Sequence, residues 1–181
     1  MLKLTVPAAE FFNEATSEFI ETKETVLQLE HSLISISKWE SKWKKPFLSN
    51  SPKTVEETID YIRCMTINQN VDPYIYRSIT QAMVNRVTKY IDDPMTATTI
   101  KEDPAAPKGN RVTWTSEVIY YYMTEFNIPF ECERWHLNRL IMLIRVCSEK
   151  NKDPKKNRRK MSAKDRQALN ASRLKKYNTS G

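Results

Sequence analysis

His31 and His136 are the only histidines among 181 residues, and Cys64, Cys132 and Cys147 the only cysteines. Cys132 and His136 stand four apart, so on one helix they would share a face and form one edge of a zinc site. A structural zinc site takes four ligands. The remaining soft candidates, Cys64, Cys147 and His31, show no paired spacing. The pair therefore reads as a half-buried histidine bonded to a nearby carbonyl, and the cysteines as buried thiols in a reducing compartment. Nucleophilic catalysis needs a base beside the nucleophile, and neither histidine lies in a recognisable nucleophile motif. The carboxylate pairs Glu56/Glu57 and Asp92/Asp93 fall at a predicted helix start and a predicted helix end, and acidic groups in a first turn are ordinary complements to the helix dipole. Glycine occurs only at Gly109 and Gly181, too sparse for a phosphate-binding loop. The expectation is a protein that is not an enzyme, with no catalytic residues, no cofactor and no metal.

Groups suited to gripping another protein are more plentiful. Tyr120, Tyr121 and Tyr122 cover most of a helix circumference, so at least one ring should face outward, where tyrosine and tryptophan dominate interface hot spots. Trp39, Trp43 and Trp135 join them as candidate partner-binding residues. Met65, Met83, Met95, Met123 and Met142 supply soft, adaptable contacts, with most of them expected in the core. A second candidate surface is the basic run with Lys155, Lys156, Arg158, Arg159 and Lys160. It suits phosphate contacts with nucleic acid, an acidic protein helix, or simple solvation. No aromatic residue interrupts it, so stacking on single strands has little support.

The elements that would carry these residues follow from periodicity. Leu2, Leu4 and Val6 alternate with Lys3 and Thr5, the period of a half-buried strand. Glu10–Phe12 and Glu18–Ile20 flank a polar turn at Asn13–Ser17, and Val26–Glu30 is a further strand with Leu27 and Leu29 inward. Residues 1–30 thus predict a small antiparallel hairpin or sheet. Leu33, Ile36, Trp39 and Trp43 then form a helical stripe ended by Pro46. Thr54 and Glu57 form a capping box for a helix with Val55, Ile59, Ile62 and Met65 on its inner face. Asp72–Pro73 opens further helix through Tyr90, stopped by Asp93–Pro94. Residues 101–111, with two prolines and a glycine, predict a linker. Ser116–Phe126 is a short helix, and Pro129 breaks the chain. Glu133–Glu149 predicts the central buried helix, striped by Leu137, Leu140, Ile141, Ile144 and Cys147 and widened by Met142, Leu143 and Val146. Ser162 can cap a last, thin helix over Ala163–Tyr177.

The fold class expected is mainly α (α+β): a small N-terminal sheet over 1–30, a helical core over 31–150, and a basic tail over 151–181. Charge divides the same way. The tail holds 11 Lys+Arg and two Asp+Glu, a net of +9, and the rest of the chain is at −2. The longest apolar run, Leu140–Ile144, is far shorter than the roughly 20 residues a membrane helix needs. No basic-then-apolar leader opens the chain, which predicts a protein that is not exported.

The stretch Leu27-Gln-Leu-Glu-His-Ser-Leu33 continues as Ser35-Ile-Ser-Lys-Trp-Glu40, then Trp43 and Lys45-Pro-Phe47. Asp93-Pro-Met-Thr-Ala-Thr98, Asn127-Ile-Pro-Phe-Glu-Cys132 and Trp135-His-Leu-Asn-Arg-Leu140 follow. Together these resemble the tail assembly chaperones of long-tailed bacteriophages, over nearly the whole chain. The resemblance implies a protein of the host cytoplasm that coats the tape-measure protein before the tail tube polymerises. Its expected partners are the tape-measure protein, the tail tube protein and, as a homo-oligomer, itself; nucleic acid is secondary and a membrane is not expected. The family brings no catalytic residues. Two rival readings stand beside it: a nucleic-acid-binding accessory protein acting through the tail, and a minor virion connector.

Overall fold

The computed structural model describes residues 1–13, 17–100 and 113–151, together with Gln167, Ser172 and Arg173. The chain divides into two compact units, Met1–Arg145 and Val146–Gly181.

The first unit opens with four strands, β1 (Leu2–Val6), β2 (Ala9–Asn13), β3 (Glu18–Thr22) and β4 (Thr25–Leu29). They pair as a nested antiparallel hairpin, β1 with β4 and β2 with β3. Pro7, which has no N–H to give to a ladder, follows β1 directly and separates the inner pair from the outer. Alternation puts Leu4, Val6, Leu27 and Leu29 inward, all fully buried, with Leu4 opposite Leu27. The free edge of β4 is covered in turn: Leu29 bridges to Thr66, and Glu30 N–H donates to the Met65 carbonyl at 3.0 Å. The α+β class and the antiparallel N-terminal pairing are therefore as the sequence predicts.

Among the described residues five α-helices follow: α1 (Leu33–Trp43), α2 (Val55–Met65), α3 (Gln81–Ile91), α4 (Ser116–Glu125) and α5 (Leu137–Lys150). Ser32 caps α1 by accepting the Ser35 N–H, and Lys44 ends it in the left-handed region at φ 54°. The Thr54–Glu57 capping box on α2 is complete, with both reciprocal bonds made. α1 packs against α2 and α4, joining Leu33, Ile36 and Trp39 to Ile62, Met65, Ile119 and Met123 in one core. Each of these buried side chains contributes about 1.5–3 kcal/mol.

Four predicted features differ. Val55 is the first helical residue of α2 and is exposed, while Tyr61 is buried in the inner face with Ile62 and Met65. The helix expected from Pro73 to Tyr90 is two pieces: a 3-10 turn over Pro73–Ser78, then α3, whose separate N-cap is Thr80. α5 begins at Leu137 rather than Glu133, because Phe130–Arg134 winds as a 3-10 turn and Leu137 N–H is taken by the His31 carbonyl at 2.7 Å. Cys132 and His136 consequently share no helix face. α5 also buries one side only, through Leu137, Leu140 and Ile144; Ile141, Met142 and Leu143 are half-buried.

The predicted linker at 101–111 lies outside the described residues. So does the predicted terminal helix, apart from Gln167, Ser172 and Arg173, which are helical.

Candidate functional site

The two histidines, distant in sequence, meet edge-on with ring centroids 5.1 Å apart. Capping of α1 and the late start of α5 bring them together, since His31 immediately precedes the α1 N-cap and His136 immediately precedes α5. His31 Nδ1 shares a 2.6 Å hydrogen bond with Tyr61 Oη. His136 Nδ1 accepts the Asn138 N–H at 3.3 Å, which leaves Nε2–H to donate to the Tyr90 carbonyl at 3.0 Å. Tyr90 Oη donates to Glu30 Oε1 at 2.6 Å, and Glu30 Oε2 meets the Met1 ammonium at 3.0 Å.

This chain of polar groups ties α2 and α3 to the connection between β4 and α1 and to the residue before α5. Burial, then the neighbouring His136, push His31 down to about 3. Burial also lowers His136. Burial raises Tyr61 and Tyr90, and for Tyr90 the bond to Glu30 adds to the rise. Neutral histidines beside protonated phenols are at rest near pH 7, and His31, 1% exposed, is out of reach of a substrate. Among the described residues no group of three or more His, Cys, Asp or Glu side chains is arranged to hold a metal ion.

A second buried polar group escaped the sequence reading. Glu40 Oε1 accepts the Phe47 N–H and Oε2 accepts the Ser116 N–H, each at 2.8 Å. The carboxylate thereby ties α1 to the loop after it and to the first turn of α4, where negative charge complements the helix dipole. No local spacing signals a bond across 76 positions.

The candidate partner-binding residues separate into two groups. Trp39 is 1% exposed, donates to the Glu57 carbonyl at 2.9 Å, and stands edge-on to Phe47; it is core and has no surface for a partner. Trp43 is half-buried and donates to Asp60 Oδ2 at 2.9 Å. The Asp60 carboxyl lies below its usual range although burial opposes this, because Lys42 and Trp43 both donate to it. Trp135 is half-buried beneath the Arg139 guanidinium, 4.3 Å from the ring centre.

The tyrosines differ. Ile119 and Met123 turn inward from α4; Tyr121 stands opposite them, Tyr120 flanks one side, and Tyr122 with Phe126 flanks the other. Tyr122 stacks between Trp114 (5.5 Å, 25°) and Phe126 (6.1 Å, 15°). Tyr121 is 61% exposed and donates to Glu125 at 2.8 Å. Tyr120 is half-buried, donates to Glu133 at 2.8 Å, and is pushed up to about 12 by burial and that bond. Phe130 lies exposed beside it. The end of α4 is fixed by a Schellman turn: Ile128 N–H reaches the Met123 carbonyl at 2.8 Å, with Asn127 left-handed at φ 51°. Trp114, Phe126 and Phe130 were missed in the sequence, although Phe126 stands four after Tyr122, the helical signal for a shared face.

Met65 and Met123 are core, as expected for most of the methionines, while Met95 is exposed. An open groove of about 630 Å³ lies between α2 and the Pro73–Ser78 turn, with Val55, Ile59, Tyr76 and Ile79 alongside Lys42, Arg63 and Arg77. Lys155, Lys156, Arg158, Arg159 and Lys160 lie outside the described residues. Among the described residues no helix is long and apolar enough to cross a membrane. Comparison with protein-family models, curated proteins and solved structures finds no match to this chain.

Proposed function

We propose that this protein is a tail assembly chaperone of a long-tailed bacteriophage, acting without catalysis to bind the tape-measure protein and keep it soluble in the host cytoplasm until the tail tube polymerises. The observation that carries the reading is the set of aromatic rings around the outer sides of α4. Its rings are held in place by stacking and by phenol–carboxylate bonds, so covering them costs little side-chain entropy. A long coiled helix presents an apolar seam that aggregates if left bare. Exposed rings such as Tyr121 and Phe130 cover such a seam by weak, repeated contacts that tube subunits can displace. The sequence resemblance over nearly the whole chain supports the same role.

The test is co-expression with the tape-measure protein. The soluble fraction of that protein should rise in the presence of the chain, and Tyr121→Ala with Phe130→Ala should reduce the gain, at about 1–2 kcal/mol of binding for each ring. Tape-measure protein that behaves identically without the chain defeats the proposal. A chaperone should also be absent from finished particles by mass spectrometry, whereas a connector would be present. The +9 charge of residues 151–181 favours nucleic acid as a second reading. There, deleting the tail should abolish a salt-sensitive mobility shift of DNA or RNA.

A further inference from the structure

The register of the outer hairpin sets Glu10 directly opposite Glu21 and Phe12 directly opposite Phe19. Alternation sends these four side chains to one face, and all four are exposed. Phe12 is 52% and Phe19 67% exposed, with their rings 5.1 Å apart. Like charges directly across a ladder destabilise it, and a two-stranded ribbon is marginal by itself in water. Among the described residues, neither Glu10 nor Glu21 has an ion-pair partner. Beside α4, by contrast, Glu125 and, in the following turn, Glu133 accept hydrogen bonds from Tyr121 and Tyr120.

What fits the hairpin face is a segment that brings positive charge to the glutamate pair and lays apolar stems on the rings. Lysine and arginine do both, through an alkyl stem, a charged head and attraction to the ring face. The chain contains such a segment: residues 152–166 hold eight Lys+Arg and two Asp+Glu, whereas residues 9–24 hold five glutamates and one lysine. We propose that the exposed face of the β2–β3 hairpin is a self-association site that receives the basic stretch 152–166 of a second copy. Two copies exchanging stretches make a closed, reciprocal pair. This is independent of tape-measure binding, and its failure would leave the chaperone reading intact.

Sedimentation velocity of the full-length chain tests it. At about 0.05 M salt a concentration-dependent dimer should form, and it should dissociate as salt rises towards about 0.5 M. Glu10→Lys with Glu21→Lys should be monomeric alone, as should a chain with Lys155, Lys156, Arg158 and Arg159 each changed to Glu. Mixing these two variants should restore the dimer, since each then offers the charge the other lacks. Phe12→Ser with Phe19→Ser should weaken the dimer with an unchanged far-ultraviolet dichroism spectrum. An intact chain that stays monomeric at low salt overturns the proposal, including the case in which a copy's own stretch occupies the face. So does a mixture of charge variants that stays monomeric.

Discussion

The two halves of the N-terminal hairpin have the same strand length and the same antiparallel pairing, yet opposite fates. β1–β4 places Leu4, Val6, Leu27 and Leu29 in the core, while β2–β3 presents Phe12 and Phe19 to water. Residue type does not account for this, since phenylalanine favours strand and burial more than most residues. The difference lies in what each pair packs against. The inner pair has α2 and α3 against it, and its β4 edge is taken by residues 65–67. The outer pair has its own rings on one face and half-buried Phe11 and Ile20 on the other. A strand here is as stable as its neighbours make it.

The contrast breaks most clearly at Leu27. Leu27→Ala should cost about 2–5 kcal/mol in chemical denaturation, the range for a leucine deleted from a packed core. Similar losses at Phe19 would mean that the outer hairpin is packed as the inner one is. Next comes Glu40→Ala, which leaves the Phe47 and Ser116 N–H groups buried without acceptors. We expect about 2–4 kcal/mol, with the aromatic rings around α4 loosened before the inner hairpin is affected. Near-ultraviolet dichroism and hydrogen exchange of residues 114–126 would report this.

The inner hairpin ends on the histidine pair, which makes its anchorage sensitive to acid. His31 has a folded pKa of about 3 against an ordinary 6.5, so the folded state holds it neutral and the unfolded state takes the proton first. Its contribution is full above pH 6.5 and is lost as pH falls through that value towards 3. The loss should be about 2 kcal/mol at pH 5, where Glu57 and Asp60, both lowered in the fold, are still ionised. His31→Gln should lessen the slope of the stability profile between pH 6.5 and 5, leaving the part that His136, also lowered by burial, contributes. An unchanged slope would place the acid sensitivity elsewhere.

Much of this scaffold is legible without coordinates because its signals are local. Alternation at Leu2–Val6 announces a strand, and the Thr54–Glu57 box announces a helix start, each complete within a few residues. What could not be read depends on partners far along the chain. The start of α5 is decided by the His31 carbonyl, and the stripe of apolar residues after Glu133 carries no trace of that acceptor. Trp39 and Tyr121 look alike as candidate anchors; the packing of α1 on α2 makes Trp39 core, and α4, which buries Ile119 and Met123, leaves Tyr121 exposed. Glu40 resembles any helix-surface glutamate until α4 arrives.

The smallest effect is the one that isolates the outer hairpin. Phe12→Ser with Phe19→Ser removes a cross-strand ring pair worth at most about 1 kcal/mol to the ladder that holds it. Because the inner pair and the helices bury their own surfaces, global unfolding should move by less than about 0.5 kcal/mol. The amides of β2 and β3 should nevertheless exchange faster than in the native chain, by local opening, while those of β1 and β4 keep their protection. If both sets of amides exchange together in the variant, the four strands open as one unit, and the division at Pro7 is geometric without being energetic.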